Sequence, residues 1–218
     1  SSSSADLNID SNCKEVVFAG LYWSAMYPTA SSTNSNCFNC GPSARNDWNE
    51  VRLKIPGRTT YETITADKSN PREVIFKGNN SNNFNNSVYV CFKDVTDLIK
   101  PLKNAVNGTY TVGNVRATTG IRQGGSAGGW TLVVIYEAPD KPSKFISVFD
   151  GARMTNVDAG PDRLLQVDIP IKGFKTLPAP FNVYAKIGVA ALDGDLSRKG
   201  DALAFRQGPY SATATNYT

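Results

Sequence analysis

The sequence predicts an all-β protein, a two-sheet β-sandwich whose length favours the jelly-roll type. Three observations predict this fold class: short segments alternate apolar with polar residues, Gly and Pro separate those segments, and helix signals are scarce. Val51, Leu53 and Ile55, for example, enclose Arg52 and Lys54. A period of two is typical of a strand with one face in water. About ten such strands without alternating helices favour a sandwich.

Two segments, 16–23 and 130–136, are almost continuously apolar, so we expect central strands covered on both faces. The longest alternation, 181–192, predicts a long curved strand. Further strands are predicted at 61–66, 73–76, 87–93, 108–115, 144–150 and 165–171.

One short helix is expected after Asp94 or Thr96, and Pro101 ends it. The Asn-rich segment 79–86 predicts an exposed loop, and the Gly-rich segment 120–129 a flexible one. We assign 1–12 to an N-terminal linker, 13–208 to a single sandwich domain and 209–218 to a linker before a following module.

The composition excludes several functions. The chain contains no His, which removes every Ser-His, Cys-His and His-metal mechanism. Its net charge of +4 is spread along the sequence, so nucleic acid is not an expected partner. No segment approaches the roughly 18 to 20 apolar residues that span a bilayer, and direct membrane insertion is not expected.

The four cysteines, Cys13, Cys37, Cys40 and Cys91, lie in a sequence whose Asn/Ser-rich CxxC suggests an extracellular protein. Three pairings are open, and we favour Cys37 with Cys40 and Cys13 with Cys91. A zinc site or a redox CxxC is the alternative, although a second CxxC is missing.

Asp193, Asp195 and Asp201 form an aspartate loop (residues 193–201) with two glycines. Hard oxygen ligands on a Gly-rich loop are what Ca²⁺ uses, so calcium is the cofactor that this loop suggests. The spacing is not that of an EF-hand, and Arg198 and Lys199 compete as cations. Carboxylates of ordinary Asp-Gly turns are the alternative.

Aromatic and acidic residues suggest two further roles. Trp48 lies among polar residues and is the candidate ligand contact, whereas Trp23 and Trp130 lie in apolar segments and are expected in the core. Glu137 follows a buried segment and, with an Asp partner, is the candidate carboxylate of a polysaccharide-cleaving enzyme, which needs an acid and a base or nucleophile in one cleft. A strand-end Glu paired with Lys or Arg is the alternative, and we predict no enzyme.

An ordered series of motifs begins with AGLYWS at 19–24, VRLKIPG at 51–57 and KDVTDLI at 93–99. The series continues with NGTYTV at 107–112, AGGWTLVVIYE at 127–137, VFDG at 148–151 and GVAALDGD at 188–195. Together these motifs resemble a module of very large Bacteroidetes cell-surface proteins, especially the gliding-motility adhesins. The resemblance covers about residues 16–201, and the cysteine-bearing segment 27–49 departs from it.

The resemblance implies a secreted, non-enzymatic structural and adhesive module at the bacterial cell surface, exported by type IX secretion. It implies no catalytic residues. The expected partners are a glycan or surface ligand and neighbouring modules of the same large protein, with gliding motility as one process served. Two alternatives stay open: a Ca²⁺-dependent, lectin-like carbohydrate-binding domain, and a fibre-forming subunit that pairs edge strands with its neighbour.

Overall fold

The structure is a computed structural model. It describes residues 1–11, 14–27, 37–42, 47–78, 88–122, 127–152, 168–173, 175, 176, 178, 180–190 and 203–205, with only the backbone for 37–42, 121 and 122.

The described residues form ten strands: β1 Ser2–Leu7, β2 Glu15–Met26, β3 Cys37–Pro42, β4 Glu50–Lys54, β5 Glu62–Thr65, β6 Val74–Lys77, β7 Val88–Asp94, β8 Gly108–Gly113, β9 Thr118–Arg122 and β10 Gly128–Glu137. Helix α1, Thr96–Ile99, continues into a 3₁₀ segment, Lys100–Val106. One antiparallel sheet has the order β1-β8-β4-β5, a second has the order β10-β2-β7-β6, and β3 pairs with β9. The all-β, two-sheet sandwich is therefore confirmed, whereas jelly-roll connectivity stays a prediction.

Side chains from both four-stranded sheets share one buried core. The first sheet contributes Val51, Leu53, Ile64, Tyr110 and Val112, and the second contributes Ala19, Leu21, Trp23, Tyr89 and Cys91. These residues alternate along their strands because successive side chains point to opposite faces of a sheet. Burial of these rows provides the main force that holds the two sheets together.

A β-bulge in β2 changes which residues face the core. Opposite β10, Ile135 pairs with Phe18 and Tyr136 pairs with Val16, which leaves Val17 as the extra residue. Val16 and Ala19 are therefore both fully buried despite their odd spacing, and Val17 is 48% exposed.

The sequence prediction for the start of the chain is wrong. Ser2–Leu7, which we assigned to a linker, forms β1 and pairs with β8 from Ser2 opposite Gly113 to Leu7 opposite Gly108. Its Ser-rich composition suits an edge strand whose outer side is polar. Of the predicted flexible loop at 120–129, residues 123–126 lie outside the described residues, and the two ends of the segment belong to β9 and β10.

The chain divides into two compact units, Ser1–Lys144 with Lys186–Asp193 and Phe145–Ala185 with Gly194–Thr218. Both four-stranded sheets belong to the first unit. The extent of the predicted sandwich domain, 13–208, stays a prediction.

The strands predicted at 144–150, 165–171 and 181–192 are absent from the described parts of those segments. Apolar alternation indicates a strand only where a neighbouring strand and a core receive it. In the described parts of these three segments the apolar side chains are exposed to solvent, with Tyr184 92% and Ile169 67% exposed.

Candidate functional site

Trp48 lies in the turn before β4 and is tied to the core through its backbone. The buried Trp23 indole donates a hydrogen bond from Nε1 to the Trp48 carbonyl oxygen at 3.1 Å. The neighbouring Asn49 donates from Nδ2 to the Ala66 carbonyl at 2.7 Å. The Trp48 indole is half-buried against the core, and its centroid is 5.6 Å from that of Tyr89. These contacts hold the turn in one position.

Two lysine ammonium groups lie over the Trp48 ring. Lys77 Nζ is 4.8 Å and Lys68 Nζ is 5.6 Å from the ring centroid. A cation at this distance is attracted to the negative face of an indole. The ring therefore orders two positive charges from different segments, since Lys77 ends β6 and Lys68 lies in the preceding turn.

A third cation and one carboxylate complete this group, the Trp48 basic cluster, which we define as Asp47, Trp48, Lys68, Lys77 and Arg116. The Arg116 guanidinium carbon is 4.5 Å from the Tyr27 ring centroid. The Tyr89 hydroxyl donates to the Arg116 carbonyl oxygen at 2.7 Å, which fixes the backbone at this residue. Lys68 Nζ is 2.9 Å from Asp47 Oδ2.

The charges of the cluster influence one another. The hydrogen bond and the charge of Lys68 lower the pKa of Asp47, with a smaller contribution from Arg116. Partial burial, followed by repulsion from Lys68, lowers the pKa of Lys77. Lys68 contacts Asp47, Lys77 lies over Trp48 and Arg116 lies over Tyr27, so the three cations and one carboxylate of the cluster have a formal surplus of two positive charges at neutral pH. This surplus of positive charge attracts an anion.

Among the predicted ligand residues, Trp48 is the one whose surroundings the structure describes. Asp193, Asp195 and Asp201 lie outside the described residues. Among the residues that are described, no group of three or more Cys, Asp, Glu or His side chains could hold a metal ion. The calcium site therefore stays a prediction.

The disulfide prediction receives no support. Cys91 is a free thiol with no exposed surface, and no disulfide is seen among the described residues. Cys13 lies outside the described residues, whereas Cys37 and Cys40 lie in β3 with only their backbone described. Burial raises the pKa of the Cys91 thiol to about 12, so this group is neutral at physiological pH.

The remaining aromatic and acidic candidates differ in their burial. Trp23 is fully buried and Trp130 packs partly against the core, as expected. Glu137 is exposed at the end of β10, where its register partner is Glu15. Glu15 in turn is 3.0 Å from the Lys100 ammonium group.

Sequence reasoning missed Lys68, Lys77 and Arg116. They come from a turn, the end of β6 and the segment after β8. Nothing in their local sequence indicates that Lys68 and Lys77 meet over one tryptophan or that the charge of Arg116 influences Asp47. The sheet order β2-β7-β6 and the turn before β4 bring Lys68 and Lys77 to Trp48.

Comparisons with known proteins find no matching family model, no similar curated protein and no similar solved structure. Within the described parts of the chain, no helix is long and apolar enough to cross a membrane.

Proposed function

We propose that this chain is a non-enzymatic, adhesive module of a secreted bacterial cell-surface protein, and that it binds an acidic glycan through the Trp48 basic cluster. The resemblance to surface adhesins supports the cellular setting. The observation that supports the ligand class is the pair of ammonium groups held 4.8 and 5.6 Å from one indole centroid.

The charge arrangement favours a carboxylated or sulfated ligand. Lys68 and Lys77 repel each other, and a bound anion between them relieves that repulsion. The hydrogen bonds that ammonium groups donate to carboxylate or sulfate oxygens are stronger than neutral ones. Trp48 contributes by holding both ammonium groups in place, which reduces the conformational entropy lost on binding.

A polyanion-binding assay tests this proposal. Immobilised dextran sulfate should bind the protein and release it as salt rises, whereas uncharged dextran should not bind at this cluster. The double variant Lys68→Gln/Lys77→Gln should bind dextran sulfate about ten-fold more weakly or worse, since two charge-assisted contacts are lost.

A charge-matched control distinguishes binding at the cluster from general electrostatic attraction between the protein and the polyanion. Lys54 also lies over an aromatic ring, 5.6 Å from the Tyr61 centroid, and Lys100 is exposed beside Glu15. Lys54→Gln/Lys100→Gln removes the same charge elsewhere and should bind almost as the wild type does. Equal losses in the two double variants would show that only net charge matters and would refute the proposal.

A second candidate function, strand pairing with a neighbouring subunit, is favoured by β10. This ten-residue strand ends the described sheet order, and its sequence GGWTLVVIYE has no Lys, Arg or Pro to discourage further pairing. Its core-facing residues Trp130, Leu132 and Val134 are only partly buried, whereas Leu21 of β2 is fully buried.

Sedimentation velocity tests this second function. The wild type should form concentration-dependent assemblies, and Val133→Lys, which puts a charge on the strand, should keep the protein monomeric. A wild type that stays monomeric at high concentration would exclude it.

A further inference from the structure

The outer face of the β10-β2-β7-β6 sheet has an unusual feature at Gly20. Ala19, Leu21 and Trp23 of β2 point into the core, so the alternate residues Phe18, Gly20 and Tyr22 lie on the outer face. A Cβ atom on Gly20 would lie only 2.8 Å from Phe18 Cζ and 2.8 Å from Phe92 Cε2. Glycine here makes room for two phenyl rings that lie over the backbone.

A third ring continues this layer. Phe92 of β7 is the register partner of Tyr22, and their ring centroids are 4.8 Å apart at an interplanar angle of 37°. The Phe18 and Phe92 rings are nearly parallel, at 20°, and their centroids are 6.4 Å apart. This separation with this angle indicates offset rings and not face-to-face stacking. Phe18, Phe92 and Tyr22 therefore cover the sheet as a shallow aromatic layer.

The layer is accessible and has polar groups at its sides. All three aromatic side chains are partly exposed. Asp94 is the register partner of Gly20 on β7, and Thr131 is the partner of Tyr22 on β10, so a carboxylate and a hydroxyl lie on either side along the same face. The Asp94 Oδ1 atom accepts a hydrogen bond from the Thr96 backbone N–H at 2.9 Å, which orients the carboxylate.

We propose that Phe18, Tyr22 and Phe92, the outer aromatic surface, bind an uncharged polysaccharide by stacking against the apolar faces of its sugar rings. A pyranose ring presents C–H bonds on its face and hydroxyl groups around its edge. Aromatic rings lying on a sheet match that face, and Asp94 and Thr131 match the edge as hydrogen-bond acceptor and donor. The neighbouring carboxylate repels an acidic sugar.

This surface is chemically separate from the Trp48 basic cluster. One offers rings and a carboxylate, and the other offers ammonium and guanidinium groups. Binding at the outer aromatic surface therefore does not depend on the acidic-glycan proposal.

The experiment is affinity electrophoresis in gels containing soluble uncharged polysaccharides: a β-glucan, a xylan, a mannan and a soluble starch. At least one should retard the wild type, and added salt should change the retardation little because the contacts are not ionic. Phe92→Ala should weaken that binding about ten-fold or more, since it removes the central ring. Gly20→Ala should have a similar effect by displacing rings without removing any.

Two controls keep the result specific. Phe76 of β6 is 36% exposed on the same sheet but outside the three-ring layer, so Phe76→Ala should retain binding. Lys68→Gln/Lys77→Gln should also retain it, which distinguishes failure here from failure of the acidic-glycan proposal. Circular dichroism establishes that each variant is folded.

Retardation by none of the four polysaccharides would overturn the proposal, as would equal binding by wild type and folded Phe92→Ala. A self-association that Phe92→Ala abolishes, without any polysaccharide binding, would overturn it too and would assign the surface to contacts between copies.

Discussion

Replacement of Trp23 by Phe should lower the free energy of unfolding by about 2–3 kcal/mol. Trp23 has no exposed surface, so loss of the second indole ring removes packed atoms and leaves a cavity, at a cost of roughly 1–2 kcal/mol. The indole also donates to the Trp48 carbonyl at 3.1 Å, and an acceptor left without its donor costs about 1 kcal/mol more. The same change loosens the turn that carries the Trp48 basic cluster.

Trp130 provides the matched control because its indole also donates a hydrogen bond. It is only partly buried, and its acceptor is the Ser3 hydroxyl at 2.8 Å in an exposed position, where water can replace it. Trp130→Phe should therefore cost less than about 1 kcal/mol. Urea denaturation followed by far-UV circular dichroism measures both variants without relying on tryptophan fluorescence. Equal losses, or a Trp23→Phe loss below that of Trp130→Phe, would refute the reasoning.

Three further predictions address charge, thiol chemistry and metal. Glu73→Gln should cost about 0.5–1 kcal/mol at pH 7, since Glu73 and Lys93 form a partly exposed ion pair at 2.8 Å. Burial raises the pKa of Glu73, but Lys93 and a backbone N–H lower it more, to below its usual 4.5. The stabilisation by the ionised Glu73 is therefore complete above pH 4.5, and the unfolding free energies of the wild type and Glu73→Gln, measured by urea titration, should converge as pH falls below that value. Cys91, with its raised pKa and no exposed surface, should resist a thiol reagent in the native protein and react with it after denaturation without reductant. If mass spectrometry finds no label on Cys91 in the denatured protein, the result would support a disulfide between Cys91 and Cys13. A calcium site in the aspartate loop predicts a higher Tm with millimolar Ca²⁺ than with EDTA, and Asp195→Ala should abolish this difference. An unchanged Tm would mean that these carboxylates belong to ordinary turns.

Strands that lie in the core were predictable because their pattern depends on burial. Val51 and Leu53 alternate with polar residues in β4, and the continuous apolar segment at 16–23 became β2, which lies between β10 and β7. A short helix also begins at Thr96, as predicted, but Pro101 does not end the helical backbone, which continues as the 3₁₀ segment to Val106 because proline is tolerated in the first turn of a helix. The edge strand β1 was not predictable, because its Ser residues have no apolar pattern and it forms only by pairing with β8.

The candidate surfaces were less predictable, for a geometric reason. Trp48 could be identified from its polar neighbours, but the lysines over its ring approach it through tertiary contacts. On the outer face, the position of Phe92 beside Tyr22 depends on the register between β2 and β7. Gly20 offered the only local signal, since a glycine inside a strand often marks a close approach of other atoms.

Both proposed binding surfaces depend on adjacent residues of β2. Trp23 points inward and holds the Trp48 turn through one hydrogen bond, and Tyr22 points outward and contacts Phe92. Because β2 pairs on both sides, with β10 and with β7, its backbone is fixed by two ladders of hydrogen bonds. A ligand that contacts either surface therefore binds side chains that are already positioned, and little conformational entropy is lost on binding. A polysaccharide with both charged and neutral stretches, long enough to reach both surfaces at once, would bind more tightly than a ligand that reaches one surface, because its second contact is intramolecular. Removal of either surface would therefore weaken the binding of this polysaccharide more than it weakens the binding of a purely acidic or purely neutral one.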